Sequence, residues 1–383
     1  MDHVPILIAG GGPGGLSAAC ALAAEGHRAL LCDPAPEAAR TTRDRRTTAI
    51  LQPGRALLER AGVWDLLDEE PVALAEMRVV DLRSGADAAF RSEEISGQPF
   101  GWNVRNGALR RALESRADAL GVERREAGVA TLLNRSAEAV VTLTDGARLR
   151  ADLAVGADGR DSRVRRAAGI GARTHRTGQR ALSFTVSHAT PHANVSTELY
   201  EGGGPLVLVP LPDEDGEPPH RSAVVWMTGA EEAERLRGLS PEALSAAVTV
   251  RAGEVLGPLD VEGDVAVWPI AFQVADRFAA GRVALMAEAA HAVPPIGAQG
   301  LNMSLADADL LRDLCAGGPA MADLAAYDRK RRPDVLARLA AVFALNAAST
   351  GTGPLGAIRA PAIRALSGAG PARRTLMRLG LGA

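Results

Sequence analysis

Gly10, Gly12 and Gly15 stand between an apolar run, Val4–Ala9, and a small-residue segment, Leu16–Glu25, and this spacing constrains the chain more than any other feature. A second apolar run, Ala29–Asp33, ends on an acid, so the opening reads strand, tight turn, helix, strand: a βαβ unit. In such a turn the first glycine permits the reversal, the second lets backbone N–H groups approach a pyrophosphate, and the third allows close packing of helix on strand. The helix N-terminus then faces the anion, and Asp33 is placed to accept hydrogen bonds from a ribose. The expectation is a dinucleotide site built from Gly10, Gly12, Pro13, Gly14, Gly15 and Asp33. Its place at the start of the sequence favours a tightly held flavin nucleotide, although NAD fits the same turn.

The 383 residues exceed one ordinary core and suit a composite domain or two units sharing an interface. Thr47–Leu67 reads as a helix-bearing connection and Leu109–Leu120 as an amphipathic helix. Val129–Leu133 and Ala139–Thr144 alternate as strands, and Asp145-Gly146 supplies the turn into Arg148–Ala151. From Ala181 to Trp268 the pattern changes to short strand-like runs, Ala181–Ser187, Leu206–Leu211 and Ala223–Thr228, separated by turn-rich loops, of which Pro212–Pro219 is expected to be mobile. Arg282–Ala287 reads as a buried strand, and everything from Leu301 onward as helical.

Composition excludes several function classes. The formal net charge is −3 with both signs mixed along the chain, which leaves no footprint for a nucleic-acid backbone. Lys330 is the sole lysine, so the arginine richness reflects base bias more than phosphate recognition. Cys20, Cys32 and Cys315 lack the pairing or spacing of a disulfide framework or zinc site and suit a reducing cytoplasm. His188 and His192 have possible ligand spacing but bracket Pro191 without a cysteine or carboxylate companion, so no metal is expected. No export signal is visible ahead of Val4–Ala9 and no apolar stretch reaches the roughly 20 residues that a spanning helix needs, so the expectation is that any membrane is met from its surface.

Two later motifs resemble a known family. Asp152-Leu153-Ala154-Val155-Gly156-Ala157-Asp158-Gly159-Arg160-Asp161-Ser162-Arg163-Val164-Arg165 looks like the Asp-Gly motif of single-component flavoprotein aromatic hydroxylases. Gly281-Arg282-Val283-Ala284-Leu285-Met286-Ala287-Glu288-Ala289-Ala290-His291, followed by Pro294-Pro295-Ile296-Gly297-Ala298-Gln299-Gly300-Leu301-Asn302, is similar to the family's other flavin motif. The chain departs from the common Gly-Asp-Ala-Ala-His pattern by placing Ala287 and Glu288 first. Within the family the nearest likeness is to the ubiquinone-biosynthesis hydroxylases, the UbiH/UbiF group, and it extends through Arg46–Leu51, Leu57–Trp64, Tyr327–Asp334 and the tail from Leu376.

The resemblance implies an α/β fold: a Rossmann-like FAD-binding domain of the glutathione-reductase-like, p-hydroxybenzoate-hydroxylase type, with an inserted β-sheet substrate domain and a C-terminal helical segment. The expected division assigns 1–72, 101–180 and 271–345 to the FAD-binding domain, 73–100 and 181–270 to the substrate domain, and 346–383 to the helical segment. Asp158 and Gly159 would contact the flavin and the reduced nicotinamide. Glu288 would bind the ribityl chain, keeping acceptor capacity at one methylene more reach. Pro294, Gly297, Gln299, Gly300, Leu301 and Asn302 would pack along the flavin, the helix they open stabilising negative charge on its reduced ring. Arg46 and Asn106 are further candidate flavin contacts. His291 reads as a residue that orients the loop, and no catalytic side chain is named, because the cofactor carries the chemistry.

The implied reaction uses FAD, NAD(P)H as a transient reductant and O2 to hydroxylate a phenolic ring carrying a polyprenyl tail, which the second sheet would roof. No second dinucleotide fingerprint is present, which is expected if the nicotinamide visits transiently, as the resemblance implies. The basic, apolar stretch Leu355–Leu381, with Arg359, Arg364, Arg373, Arg374 and Arg378, has two readings: packing on the body of the protein, or contact with anionic lipid or a partner in a quinone-biosynthesis complex. Two rival functions remain: hydroxylation or epoxidation of a soluble aromatic or secondary metabolite, and a non-catalytic flavoprotein subunit, the latter supported only by Ala287-Glu288.

Overall fold

The computed structural model describes residues 1–35, 46–69, 71–212, 219–351, 353–368 and 370–381. Its first sheet is built on Asp2–Ala9, which pairs in parallel with Ala29–Cys32 on one side and Arg148–Gly156 on the other. Glu123–Arg125 and Val283–Leu285 extend the parallel order outward. A strand buried on both faces needs an apolar run rather than alternation, and Ile6, Leu7 and Ile8 are fully buried. The helix Pro13–Ala24 starts three residues ahead of the sequence reading because Pro13 occupies its first turn, where a missing N–H costs nothing. The hairpin Val129–Asn134 and Ala139–Leu143 is appended to Arg148–Gly156, turning at Gly146 with φ +88°.

The second sheet has eight strands in the order His291–Ala292, Asp260–Ala275, Ala172–His188, His220–Gly229, Pro205–Pro210, Val195–Tyr200, Glu76–Asp81, Ala86–Arg91. One face carries Leu182, Phe184, Leu206, Leu208, Val224 and Trp226, and it is covered by two helices, Ala230–Arg237 and Pro241–Arg251. These helices correct the reading of the middle region as strands and loops. Their start signal was present, since Ser240 Oγ accepts from Ala243 N at 3.3 Å ahead of Pro241, but turn-rich surroundings masked it. On the other face Val225, Met227 and Trp268 pack against the core of the first body.

The expected divisions at 180/181 and 270/271 fall inside the paired strands Ala172–His188 and Asp260–Ala275, which run through both units. Residues Arg173–Arg176 are exposed, so this part of the strand shows no apolar alternation to read. The division at 345/346 falls inside the helix Leu324–Ser349. The connection Thr47–Leu67 bears the helix Gln52–Arg60, ahead of which Thr47–Leu51 forms a three-stranded sheet with Gly101–Arg105 and Val72–Leu74. Of Arg282–Ala287, Val283–Leu285 is the strand and Ala287 already starts a short helix. Most of the Pro212–Pro219 loop, residues 213–218, lies outside the described residues.

The C-terminal helices Gly353–Gly368 and Gly370–Leu381 lie on the second sheet, where Ile363 and Met377 bury against Ala86, Ala88, Phe90 and Phe100. Arg359 pairs with Asp81 at 2.8 Å and lies over the Tyr200 ring. Arg373 bonds Ala89 O and Glu94, and Arg364 donates to Ser84 O at 3.0 Å. The segment therefore packs on the body, with these three arginines bonded to it. Among the described residues no helix is long and apolar enough to cross a membrane.

Candidate cofactor site

The glycine turn has a distinct physical demand at each position. A Cβ on Gly10 would stand 2.2 Å from Ala157 O, and one on Gly15 would stand 1.9 Å from Gly10 O, so neither admits a side chain. A Cβ on Gly12 would meet nothing within 4 Å, because that face opens into a cavity of about 780 Å³. Small-molecule sites commonly span about 300–1,000 Å³. The helix that follows has no side-chain cap at Gly12, so its leading N–H groups are offered to a ligand. A second helix, Gln299–Leu314, also starts without a side-chain cap, at Ala298 with φ +56°, and brings Gly300 and Leu301 to the same cavity. Two uncapped helix ends, an open glycine face and an acid at a strand end fit a dinucleotide with a diphosphate.

Gly10, Gly12, Pro13, Gly14, Gly15 and Asp33 all line this cavity. So do Arg46, Asn106, Asp158, Gly159, Glu288, Gly300 and Leu301. Asp33 also braces the turn, its Oδ2 accepting from Gly11 N at 2.5 Å and its Oδ1 from Ala35 N at 2.8 Å. Asp158 accepts from Ser162 Oγ at 2.5 Å, Arg163 N at 2.7 Å and Val164 N at 3.1 Å, which fixes the loop that carries Gly159. Asn106 Oδ1 accepts from Thr48 Oγ1 at 2.8 Å, and the Arg46 guanidinium lies 5.4 Å from the Trp268 ring, tying the cavity rim to the second sheet. The Glu288 side chain, at the cavity, is 57% exposed and lies 3.5 Å from Arg160 Nε.

Pro294, Gly297, Gln299 and Asn302 lie outside the cavity lining. Asn302 Oδ1 accepts from Leu51 N at 2.9 Å while its Nδ2 donates to Ala49 O at 2.8 Å and Ala298 O at 2.7 Å, clamping a strand to the helix start. Gln299 donates to Gly297 O at 2.9 Å and accepts from Arg338 at 2.8 Å. These residues shape the loop that presents Gly300 and Leu301; a linear motif does not reveal which side chains turn inward.

Behind the cavity sits a group that motif reading passed over. Asp307, fully buried, accepts from His291 Nε2 at 2.6 Å, Arg331 Nε at 2.8 Å and Ala287 N at 3.1 Å. Burial alone would raise its carboxyl, but the His291 and Arg331 charges and hydrogen bonds hold it below the ordinary range. Arg331 belongs to the Tyr327–Asp334 segment, whose Tyr327 hydroxyl donates to Leu285 O at 2.9 Å, so that segment fastens the last helix bundle to the flavin-motif strand. The available signal was Asp307 itself, an acid on the buried stripe of a helix beside Ser304, Ala308 and Leu311.

Ala287 holds φ +51°, in the left-handed region where the family pattern has glycine. Ala287→Gly is expected to raise the unfolding free energy by up to about 1 kcal/mol, the relief of strain exceeding glycine's entropy cost. Urea midpoints measure this, and an equal loss instead would mean that the methyl group's packing outweighs its strain. Cys20, Cys32 and Cys315 are free and buried, and burial pushes their thiols up to about 12, about 12 and about 11, so none is poised as a nucleophile. His188 uses both ring nitrogens, at 2.7 Å from Thr190 O and 2.9 Å from Ser222 Oγ, and no metal-holding group occurs among the described residues.

The family model described as an FAD binding domain matches residues 3–340. The chain is 36% identical to ubiquinone hydroxylase UbiL of Rhodospirillum rubrum, across 98% of this chain and 89% of the relative. It is 29% identical to ubiquinone hydroxylase UbiM of Neisseria meningitidis, across 82% of this chain and 68% of the relative. Among solved structures, p-nitrophenol 4-monooxygenase PnpA from Pseudomonas putida superposes with a TM-score of 0.78 at 20% identity, covering 100% of this chain and 97% of the other; this likeness shows the fold alone.

Proposed function

The chain belongs to the FAD-binding-domain family, and from that premise we propose that it is an FAD-dependent monooxygenase that hydroxylates the ring of a polyprenylated phenol in ubiquinone biosynthesis, using NAD(P)H and O2. The observation that carries this reading is the 36% identity to a ubiquinone hydroxylase sustained over 98% of the chain. The chemistry that FAD supplies when bound is two-electron exchange with NAD(P)H and activation of O2.

The protein's own residues bind, orient and keep the site dry. N–H groups after Gly12 receive the diphosphate, Asp33 stands by for a ribose, and the Gly300 helix end favours negative charge on the reduced ring. Asp158 and Gly159 would meet the flavin and the visiting nicotinamide, with Arg46 and Asn106 at the rim. The second sheet meets the cavity rim where the Arg46 guanidinium lies on the Trp268 ring, and from that side it would cover a prenylated ring and help to exclude water. A peripheral position at the cytoplasmic membrane surface would give access to such a substrate.

Deleting the gene in its host is expected to lower ubiquinone and to accumulate a prenylated precursor lacking one ring oxygen, with NAD(P)H oxidation by the purified protein stimulated by that precursor. Normal quinone in a host without a second such hydroxylase would overturn the assignment. Stimulation by soluble phenols alone would move it to a soluble aromatic substrate.

A further inference from the structure

The second half of the helix Leu324–Ser349 carries apolar residues on the side away from the protein. Its inward stripe holds Val335, Leu339 and Val342 but ends on the polar residues Asn346 and Ser349. Its outward side holds Leu336, Ala337, Ala340, Phe343, Ala344 and Leu345, and Phe343 and Leu345 are each 49% exposed. A helix lying on a water-facing surface ordinarily turns polar residues outward. Here no charged residue occurs from Leu339 to Ile358. Arg359 Nη1 donates to Ala348 O at 3.0 Å and Ser349 O at 3.1 Å, which holds Ile358, 56% exposed, beside the end of the helix. An exposed apolar face rimmed by charge marks a surface that something else covers.

The charges around this face that have no partner are positive. Lys330, exposed, heads the outward side of the helix. Arg176, exposed, follows His175, whose ring lies 5.7 Å from that of Phe343. Arg378 is exposed on the helix Gly370–Leu381, whose Gly380 O lies 3.5 Å from Gln299 Nε2, the residue bonded to Arg338. None of the three has a carboxylate partner among the described residues, whereas the nearby acids are taken. Asp328 accepts from Phe278 N at 2.6 Å, Asp334 from Arg331 and Arg338, Asp323 from Arg329, and Asp276 from Arg173. From Val335 to Ala383 the sequence has no aspartate or glutamate. A second copy seated on this face would oppose like charges with no carboxylate to receive them. An anionic lipid surface complements both the charge and the apolar side chains.

We propose that the outward face of the helix Leu324–Ser349 docks on anionic phospholipid, its apolar side chains entering the interface and Lys330, Arg176 and Arg378 meeting the headgroups. The proposal rests on the membrane-surface position given to the enzyme above and assigns the face that provides it.

Full-length holoprotein is sedimented with vesicles of phosphatidylglycerol and phosphatidylcholine, and with vesicles of phosphatidylcholine alone. The parent is expected to bind the anionic vesicles at least about tenfold more tightly than the neutral ones. Ala340→Glu combined with Ala344→Glu places two carboxylates on the outward face and is expected to weaken that binding by about tenfold or more. Ala246→Glu combined with Val250→Glu makes the same change of charge at exposed positions of the helix Pro241–Arg251, and binding is expected to stay within about threefold of the parent. FAD content and unfolding midpoint report that each variant is folded. Should the Ala340 and Ala344 pair not fold, Lys330→Gln decides, with an expected loss of about fivefold, and no loss counts against the proposal. Equal losses in the two double variants, equal binding to both kinds of vesicle, or no binding by the parent would overturn the assignment. So would a dimer of the parent, seen by sedimentation velocity, that Ala340→Glu with Ala344→Glu splits, since the face would then join two copies. No substrate enters these measurements, so their failure leaves hydroxylation standing, and the quinone content of the deletion strain tests that reading separately.

Discussion

Replacing Asp307 by alanine is expected to lower the unfolding free energy by about 3–5 kcal/mol, the cost of leaving a buried charge without its partner. The Asp307 side chain is fully buried and that of Arg331 is 8% exposed, so water cannot stand in for the lost carboxylate. Arg331 would keep Asp334 at 2.5 Å and Met303 O at 3.1 Å, which partly offsets the loss. His291 Nε2 and Ala287 N would lose their acceptor altogether. Asp307→Asn keeps the shape and one acceptor oxygen, and about half the effect is expected. Urea unfolding of both variants measures this, and a change below about 1 kcal/mol in Asp307→Ala would contradict the pairing.

The same group sets an acid limit. An unfolded aspartate titrates near ~3.9, and in the folded protein Asp307 is held lower: burial works to raise it, but His291 and Arg331 more than reverse that. A depressed carboxyl contributes stability that is fully present above its unfolded value and is lost as pH falls through the folded value. Stability is therefore expected to fall on acidification below about pH 4, and less steeply in Asp307→Asn than in the parent. Parallel acid titrations of unfolding midpoints would show the difference, and superimposable profiles would remove Asp307 from the account.

What the sequence disclosed follows a physical division. The first sheet was legible because its strands are continuous apolar runs and its turn residues have few substitutes, as Gly10 and Gly15 show by the close approach of Ala157 O and Gly10 O. The helices on the second sheet were not, because Ala230–Arg237 and Pro241–Arg251 are short and begin next to turn-forming residues. At the site, backbone contributions were easier to place than side chains. Gly300 and Leu301 reach the cavity, whereas Asn302, in the same motif, points back to Leu51 and Ala49. The His291–Asp307–Arg331 group was invisible as a unit, since its members lie on three elements and only the fold brings them together.

Gly12→Glu is expected to give a folded protein without its flavin, separating stability from cofactor binding. Gly12 sits at φ −72° and ψ 173°, a backbone conformation open to any residue, and no atom lies within 4 Å of the added Cβ. The apoprotein should therefore keep its unfolding midpoint, a surface-like change being worth about 0.5 kcal/mol or less. The new carboxylate stands at the helix start, where it occupies the positive end meant for the diphosphate and repels it. Like charges set against each other cost several kcal/mol, which at about 1.4 kcal/mol per tenfold amounts to a loss of at least ~1,000-fold in FAD affinity. Gly15→Ala is the contrasting control, because its methyl group would meet Gly10 O at 1.9 Å and so fold and cofactor should fail together. If Gly12→Glu still purified yellow with a full complement of FAD, the diphosphate could not be lying across this turn, and the cavity would have to be reassigned along with every contact drawn from it.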